Sequence, residues 1–123
     1  MPTLIALLST GKGTWSEVLK IIRFKPWTKV FLITNKFGEE NFKQQGSEIE
    51  LVVVDFYQDV AQITNEIKNK LQGKISDFEI ALNMASGVGK EHMAVLEAVL
   101  ELGLNFRLIS ANERGVEVLG LDR

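Results

Sequence analysis

Apolar and polar positions along this chain follow two periods that take turns. Thr3 to Leu8 is a continuous apolar run, the pattern of a strand covered on both faces, and it ends in the glycine- and hydroxyl-rich turn Ser9-Thr10-Gly11-Lys12-Gly13-Thr14. Trp15 to Phe24 then places Trp15, Val18, Leu19 and Ile22 on one helical stripe, and Pro26 stops it. Lys29 to Thr34 is a second strand with both faces apolar, and Asn35 to Gln45, with Phe37 and Phe42, predicts a short surface helix closed by Gly46. Glu48 to Val54 gives a third strand, followed by Asp55-Phe56-Tyr57-Gln58-Asp59. Val60, Ile63, Ile67 and Leu71 recur at helical spacing before Gly73. Asp77 to Leu82 is a fourth strand, and Glu91 to Leu102 a fourth helix with Met93, Leu96, Val99 and Leu100 turned inward and Gly103 as its cap. Leu104 to Ser110 is a fifth strand, and the turn Ala111-Asn112-Glu113-Arg114-Gly115 leads into Val116 to Leu121, a sixth strand antiparallel to the fifth.

Strand and helix in alternation predict an α/β fold: one Rossmann-like, doubly wound domain over residues 1–123, with a mostly parallel six-stranded sheet, helices on both faces and an antiparallel last strand. With the first strand central, the chain leaves it on one side for strands two and three and returns on the other for strand four. Ligands of such sheets bind outside the carboxyl ends of the strands at that switch point. Ser9 to Thr14 and Asn83-Met84-Ala85-Ser86-Gly87-Val88-Gly89-Lys90 both emerge there.

Composition narrows the chemistry. Fourteen Lys and Arg against sixteen Asp and Glu leave a net charge of −2, too small to favour long nucleic acid or an anionic membrane, so any anion site is local. There is no Cys and one histidine, His92, which argues against disulfides and a thiolate or zinc site and fits a cytoplasmic protein. The apolar run Leu4 to Leu8 is too short to span a membrane and lacks the flanks of a secretory signal.

The loop Asn83 to Lys90 runs from a strand into a helix, where small residues admit a ligand to the backbone and unpaired amides attract anions. It is not a P-loop, because that motif requires Gly and Ser or Thr where this chain has Met84 and Glu91. Gly11-Lys12-Gly13-Thr14-Trp15-Ser16 approaches a dinucleotide fingerprint with Ser16 at its third small position, but Thr34-Asn35 carries no ribose-binding acid, so no resident cofactor is expected. The same loop approximates the phosphate loop of flavodoxins, with Phe56 or Tyr57 able to stack on a flavin, which leaves a flavodoxin-like nucleotide-binding module as the alternative. Ser9 and Ser86 are equally ordinary as a turn residue and a helix cap. Lys90 opposes the macrodipole in the first helical turn, a conflict that a bound anion would remove. His92 is expected on the exposed side of its helix, and Trp15 and Trp27 are expected to pack, with Trp15 near enough to the first loop to stack on a base.

With both loops placed, the chain resembles the CRISPR-associated Rossmann-like sensor domains, the CARF family, in which a Ser/Thr/Gly loop follows the first strand and the fourth strand ends in Asn before Thr-Gly-Gly-Thr-Lys. The matching positions are Asn83 and Ser86-Gly87-Val88-Gly89-Lys90, with Val88 and Gly89 departing from the motif. The resemblance implies a homodimer binding a cyclic oligoadenylate across its two-fold axis, through Ser9, Thr10, Gly11, Lys12, Gly13 and Thr14 on one loop and Asn83, Ser86, Gly87, Val88, Gly89 and Lys90 on the other. With no room for an effector after the sensor in 123 residues, it further implies a stand-alone binder, a subunit whose effector is a separate chain, or a metal-independent ring nuclease. In the last case Ser9 would orient the reacting ribose or phosphate and Lys90 would stabilise the transition state.

Overall fold

The computed structural model describes residues 2–10, 12–43 and 46–120. Six strands, β1 (Thr3–Leu8), β2 (Lys29–Thr34), β3 (Ile49–Val53), β4 (Glu79–Asn83), β5 (Asn105–Asn112) and β6 (Gly115–Val118), form one sheet in the order β3-β2-β1-β4-β5-β6. All neighbouring pairs are parallel except β5 and β6. The chain thus reverses its winding between β1 and β4, as the sequence predicts. Leu8 sits opposite Thr34 on β2 and Ala6 opposite Asn83 on β4, so β2 ends level with β1, β4 ends opposite Ala6 before it, and all three deliver their loops to one edge.

Being central, β1 is buried along its whole length, which explains its lack of alternation. Ile5 and Leu7 enter a core with Phe31, Ile33 and Val52 beneath α3 (Val60–Leu71) and α4 (Gly89–Glu101). Leu4, Ala6 and Leu8 enter a second core with Val30 and Leu32, covered by α1 (Trp15–Ile22) and by Trp27 and Phe42. The α3 helix starts in a reciprocal cap, with Asp59 Oδ1 accepting from Gln62 N at 2.9 Å and Gln62 Oε1 accepting from Asp59 N at 3.2 Å.

Three expectations need correction. The helix α2 is only Lys36–Asn41, and it ends at a cap on Phe42 rather than at Gly46; Gln44 and Gln45 lie outside the described residues. β6 ends at Val118, and Leu121 also lies outside the described residues. On α4, Met93 and Leu100 are 59% and 54% exposed, and the buried positions are Ala94, Val95, Ala98 and Val99. Close approach to α3 selects the small side chains, as the bond from Thr64 Oγ1 to Ala94 O at 3.3 Å records, and the larger residues are turned outward.

Candidate functional site

Both predicted loops reach the carboxyl edge of the sheet beside each other, and one bond joins them. Ser86 Oγ accepts from Ser9 N at 2.8 Å, with both residues buried. Ser86 is therefore neither a helix cap nor a free hydroxyl but a cross-link between β1 and β4, over a sequence separation of 77. Ser9 O in turn accepts from Trp15 Nε1 at 3.0 Å, which ties the first loop to the start of α1. Trp15 is buried and meets Phe37 and Phe42 edge-on, so it packs and offers no open face for a base.

Between the loops lies a crevice of about 380 Å3 lined by Ser9, Thr10, Gly13, Thr14, Ala85, Gly87, Val88 and Glu91. Gly87 bends the chain there with φ +95°, and a Cβ on it would lie 2.6 Å from Leu7 Cδ2 and 2.7 Å from Glu91 Oε1. The position thus excludes larger residues both by backbone conformation and by space. The residue before α4 is Val88, whose side chain has no oxygen with which to cap the helix, so among the described residues the N-cap side chain makes no bond to the first-turn amides. Glu91 reaches back instead, its Oε1 accepting from Val88 N at 3.2 Å.

Other expected residues stand behind the crevice or away from it. Asn83 is buried, donating through Nδ2 to Ile109 O at 2.7 Å and to Glu17 Oε2 at 3.4 Å and accepting from Ala85 N at 3.3 Å. Its amide fixes the end of β4 to β5 and α1. Lys90 is half-buried in the first turn of α4, Gly89 is exposed, and neither lines the crevice. Gly11 and the side chain of Lys12 lie outside the described residues. His92 is not simply solvated: its Nε2 lies 2.9 Å from Ser86 O, and since a carbonyl only accepts, Nε2 carries the proton. It buttresses the Ser86 turn from behind.

Glu91 and Ala85 are lining residues that the sequence reading did not select. A Glu three places after the residue preceding a helix is a reach-back signal that could have identified Glu91. As a carboxylate it repels phosphate but accepts from hydroxyls, so the crevice offers an acceptor suited to a sugar. Among the described residues no three His, Cys, Asp or Glu side chains gather as metal ligands, and no helix is long and apolar enough to cross a membrane.

Two further depressions flank the crevice on the same edge. One of about 540 Å3, at the ends of β2 and β3, shares Thr10 with it; the other, about 320 Å3 and between α1 and the β5–β6 turn, shares Gly13 and Thr14. Compared with protein-family models and with curated proteins, the chain matches none.

Proposed function

We propose that the crevice between Ser9–Thr14 and Asn83–Lys90 binds one nucleotide unit of a cyclic oligoadenylate, and that the protein is a CARF-like sensor acting in CRISPR antiviral signalling as a homodimer. The observation that carries this reading is the Ser86 Oγ to Ser9 N bond, which makes a single composite site from loops that the chain keeps far apart. Supporting it is the position of the crevice at the switch point of the sheet. The crevice volume, about 380 Å3, suits one nucleotide and not a whole ring, so a ring would lie over two copies related by its own symmetry.

Cleavage of the ring is the finer step. The ribose 2′-hydroxyl would give up its proton to water as its oxygen attacks the adjacent phosphorus, and the 5′-oxygen would leave and take a proton from water, giving a linear product with a 2′,3′-cyclic phosphate. Ser9 would align the sugar and Lys90 would meet the charge that builds on the phosphorane. Because Lys90 does not line the crevice of a single chain, its contribution requires that the ring extend past the first turn of α4. The test is incubation of the purified protein with cyclic tetra- and hexa-adenylate, following binding by calorimetry and products by mass spectrometry. Binding of one ring per two chains with linear products, and a far slower Lys90→Ala variant, is the expected result. Unchanged rings despite tight binding would reduce the protein to a sensor, and absence of binding by both rings would sink the proposal.

A further inference from the structure

We propose that the depression of about 540 Å3 at the carboxyl ends of β2 and β3 is a subsite for a nucleobase bearing an exocyclic amine. Its size lies within the range of small-molecule sites. Val53, Val54, Phe37 and Phe56 make its walls apolar and aromatic. Tyr57 lines it too, yet is 97% exposed, so the ring contributes nothing to the core. An open aromatic face beside an apolar pocket is a stacking surface for a planar ring.

The polar groups on the same wall select the edge of that ring. Asn35 is held at both ends of its amide, with Oδ1 accepting from Gly38 N and Nδ2 donating to Thr10 Oγ1, and Glu66 is held by Gln58 and Lys70. Asp55 uses Oδ1 to accept from Tyr57 N at 2.9 Å, and its carboxylate can only accept. A base that donates from an exocyclic amine satisfies it, and Lys36, which also lines the depression and can only donate, suits a ring nitrogen beside that amine. Thr10 lines both this depression and the crevice, so one nucleotide can place its base here and its phosphate there. That last point rests on the nucleotide reading of the crevice; the pocket itself does not.

Adenosine, which has no phosphate, tests the pocket alone. Titrated into the 15N-labelled protein, it should give saturable shifts at the amides of Phe37, Asp55, Phe56 and Tyr57. Tyr57→Ala, a substitution at an exposed ring, should weaken adenosine about tenfold, the scale of one base–aromatic stack. Purine riboside, which lacks only the amine, should bind about tenfold more weakly than adenosine to the native protein, the scale of one hydrogen bond to a charged group, and equally to Asp55→Asn, which keeps the oxygen bonded to Tyr57 N. Shifts confined to other residues, unchanged affinity in Tyr57→Ala, or binding of flavin mononucleotide but not adenosine would overturn the proposal. Adenosine binding without any gain for AMP or the cyclic rings would support this subsite while removing the crevice proposal. Rings that bind Tyr57→Ala normally, with no adenosine binding, would do the reverse.

Discussion

Replacing Ser86 by Ala removes one oxygen from the centre of the site, and the cost follows from what that oxygen holds. Ser86 is 1% exposed, and its Oγ accepts from Ser9 N at 2.8 Å in a segment that is itself buried. Alanine leaves that donor without a partner where water cannot readily replace it, a penalty of about 1–3 kcal/mol, while the lost volume is too small to add much. A central value of about 2 kcal/mol lowers the melting temperature of a domain this size by roughly 6–10 °C. Urea denaturation should show a reduced midpoint with an unchanged slope, because the surface exposed on unfolding does not change. Amide exchange separates this cause from general destabilisation: Ser9 N should lose protection by more than the global loss, whereas the amides of β3 should follow the global value. Ser47→Ala, at an exposed site, is the control and should stay within about 0.5 kcal/mol of the native protein. A Ser86→Ala protein that melts within roughly 1 °C of native, with Ser9 equally protected, would refute the cross-link as the element that joins the loops.

Gly38→Ala should destabilise by about 2–3 kcal/mol, since a Cβ there would lie 1.7 Å from Thr34 Oγ1, and the double variant with Thr34→Ala should lose less than the sum of the singles in the same urea assay. Glu91→Gln keeps an oxygen for Val88 N while removing the crevice carboxylate, and should tighten inorganic phosphate about threefold by calorimetry, the effect of one unit charge some ~6 Å away in a water-like medium. Glu50 is held below the ordinary glutamate value, first by its hydrogen bond to Lys74 at 2.6 Å and then by Lys29. A carboxylate lowered on folding stabilises above its unfolded value of about 4.5, and that contribution is lost as pH falls through the lower folded one. The gap in urea midpoint between native protein and Glu50→Gln should therefore be small, constant from about pH 7 to 5, and vanish as acid protonates Glu50.

The strand order and both site loops were legible because central strands carry unbroken apolar runs and a doubly wound chain has few ways to connect them. Misreading α4 had a specific cause. Met93, Leu96 and Leu100 share one apolar stripe at helical spacing and so read as its inward face, whereas α3 lies close enough that Ala94 and Ala98 are residues that fit. The roles of Ser86, Asn83 and His92 were not legible for another reason. Each is decided by a backbone partner that the fold, not the local sequence, brings up: Ser9 N, Ile109 O and Ser86 O. A hydroxyl beside a helix start looks like a cap from sequence alone, and here the capping position instead holds Val88.

Those unread partners form a series along the edge of the sheet. Thr34 Oγ1 donates to Leu8 O at 2.6 Å across β2 and β1, Asn35 Nδ2 reaches Thr10 Oγ1 at 2.9 Å, Ser86 Oγ holds Ser9 N across β1 and β4, and Asn83 Nδ2 holds Ile109 O across β4 and β5. Backbone pairing sets the register of strands but stops where they end, so loops beyond those ends need such side-chain bonds to keep fixed separations. Each tie spans one gap between neighbouring strands or their loops, and the series runs from β2 to β5 without a break. The crevice and the larger depression beside it are therefore not independent loops over a sheet but adjacent parts of one laced edge, with Thr10 common to both and anchored by Asn35. A ligand spanning the two would meet a surface whose spacing is already set, which lowers the ordering cost of binding. Cutting one tie should consequently loosen its own gap most and leave the distant one intact: Ser86→Ala should weaken AMP more than adenosine, whereas Asn35→Ala should weaken adenosine more than inorganic phosphate. Equal losses of all three ligands in both variants would mean that the edge responds as a whole and that the individual ties carry no positional information.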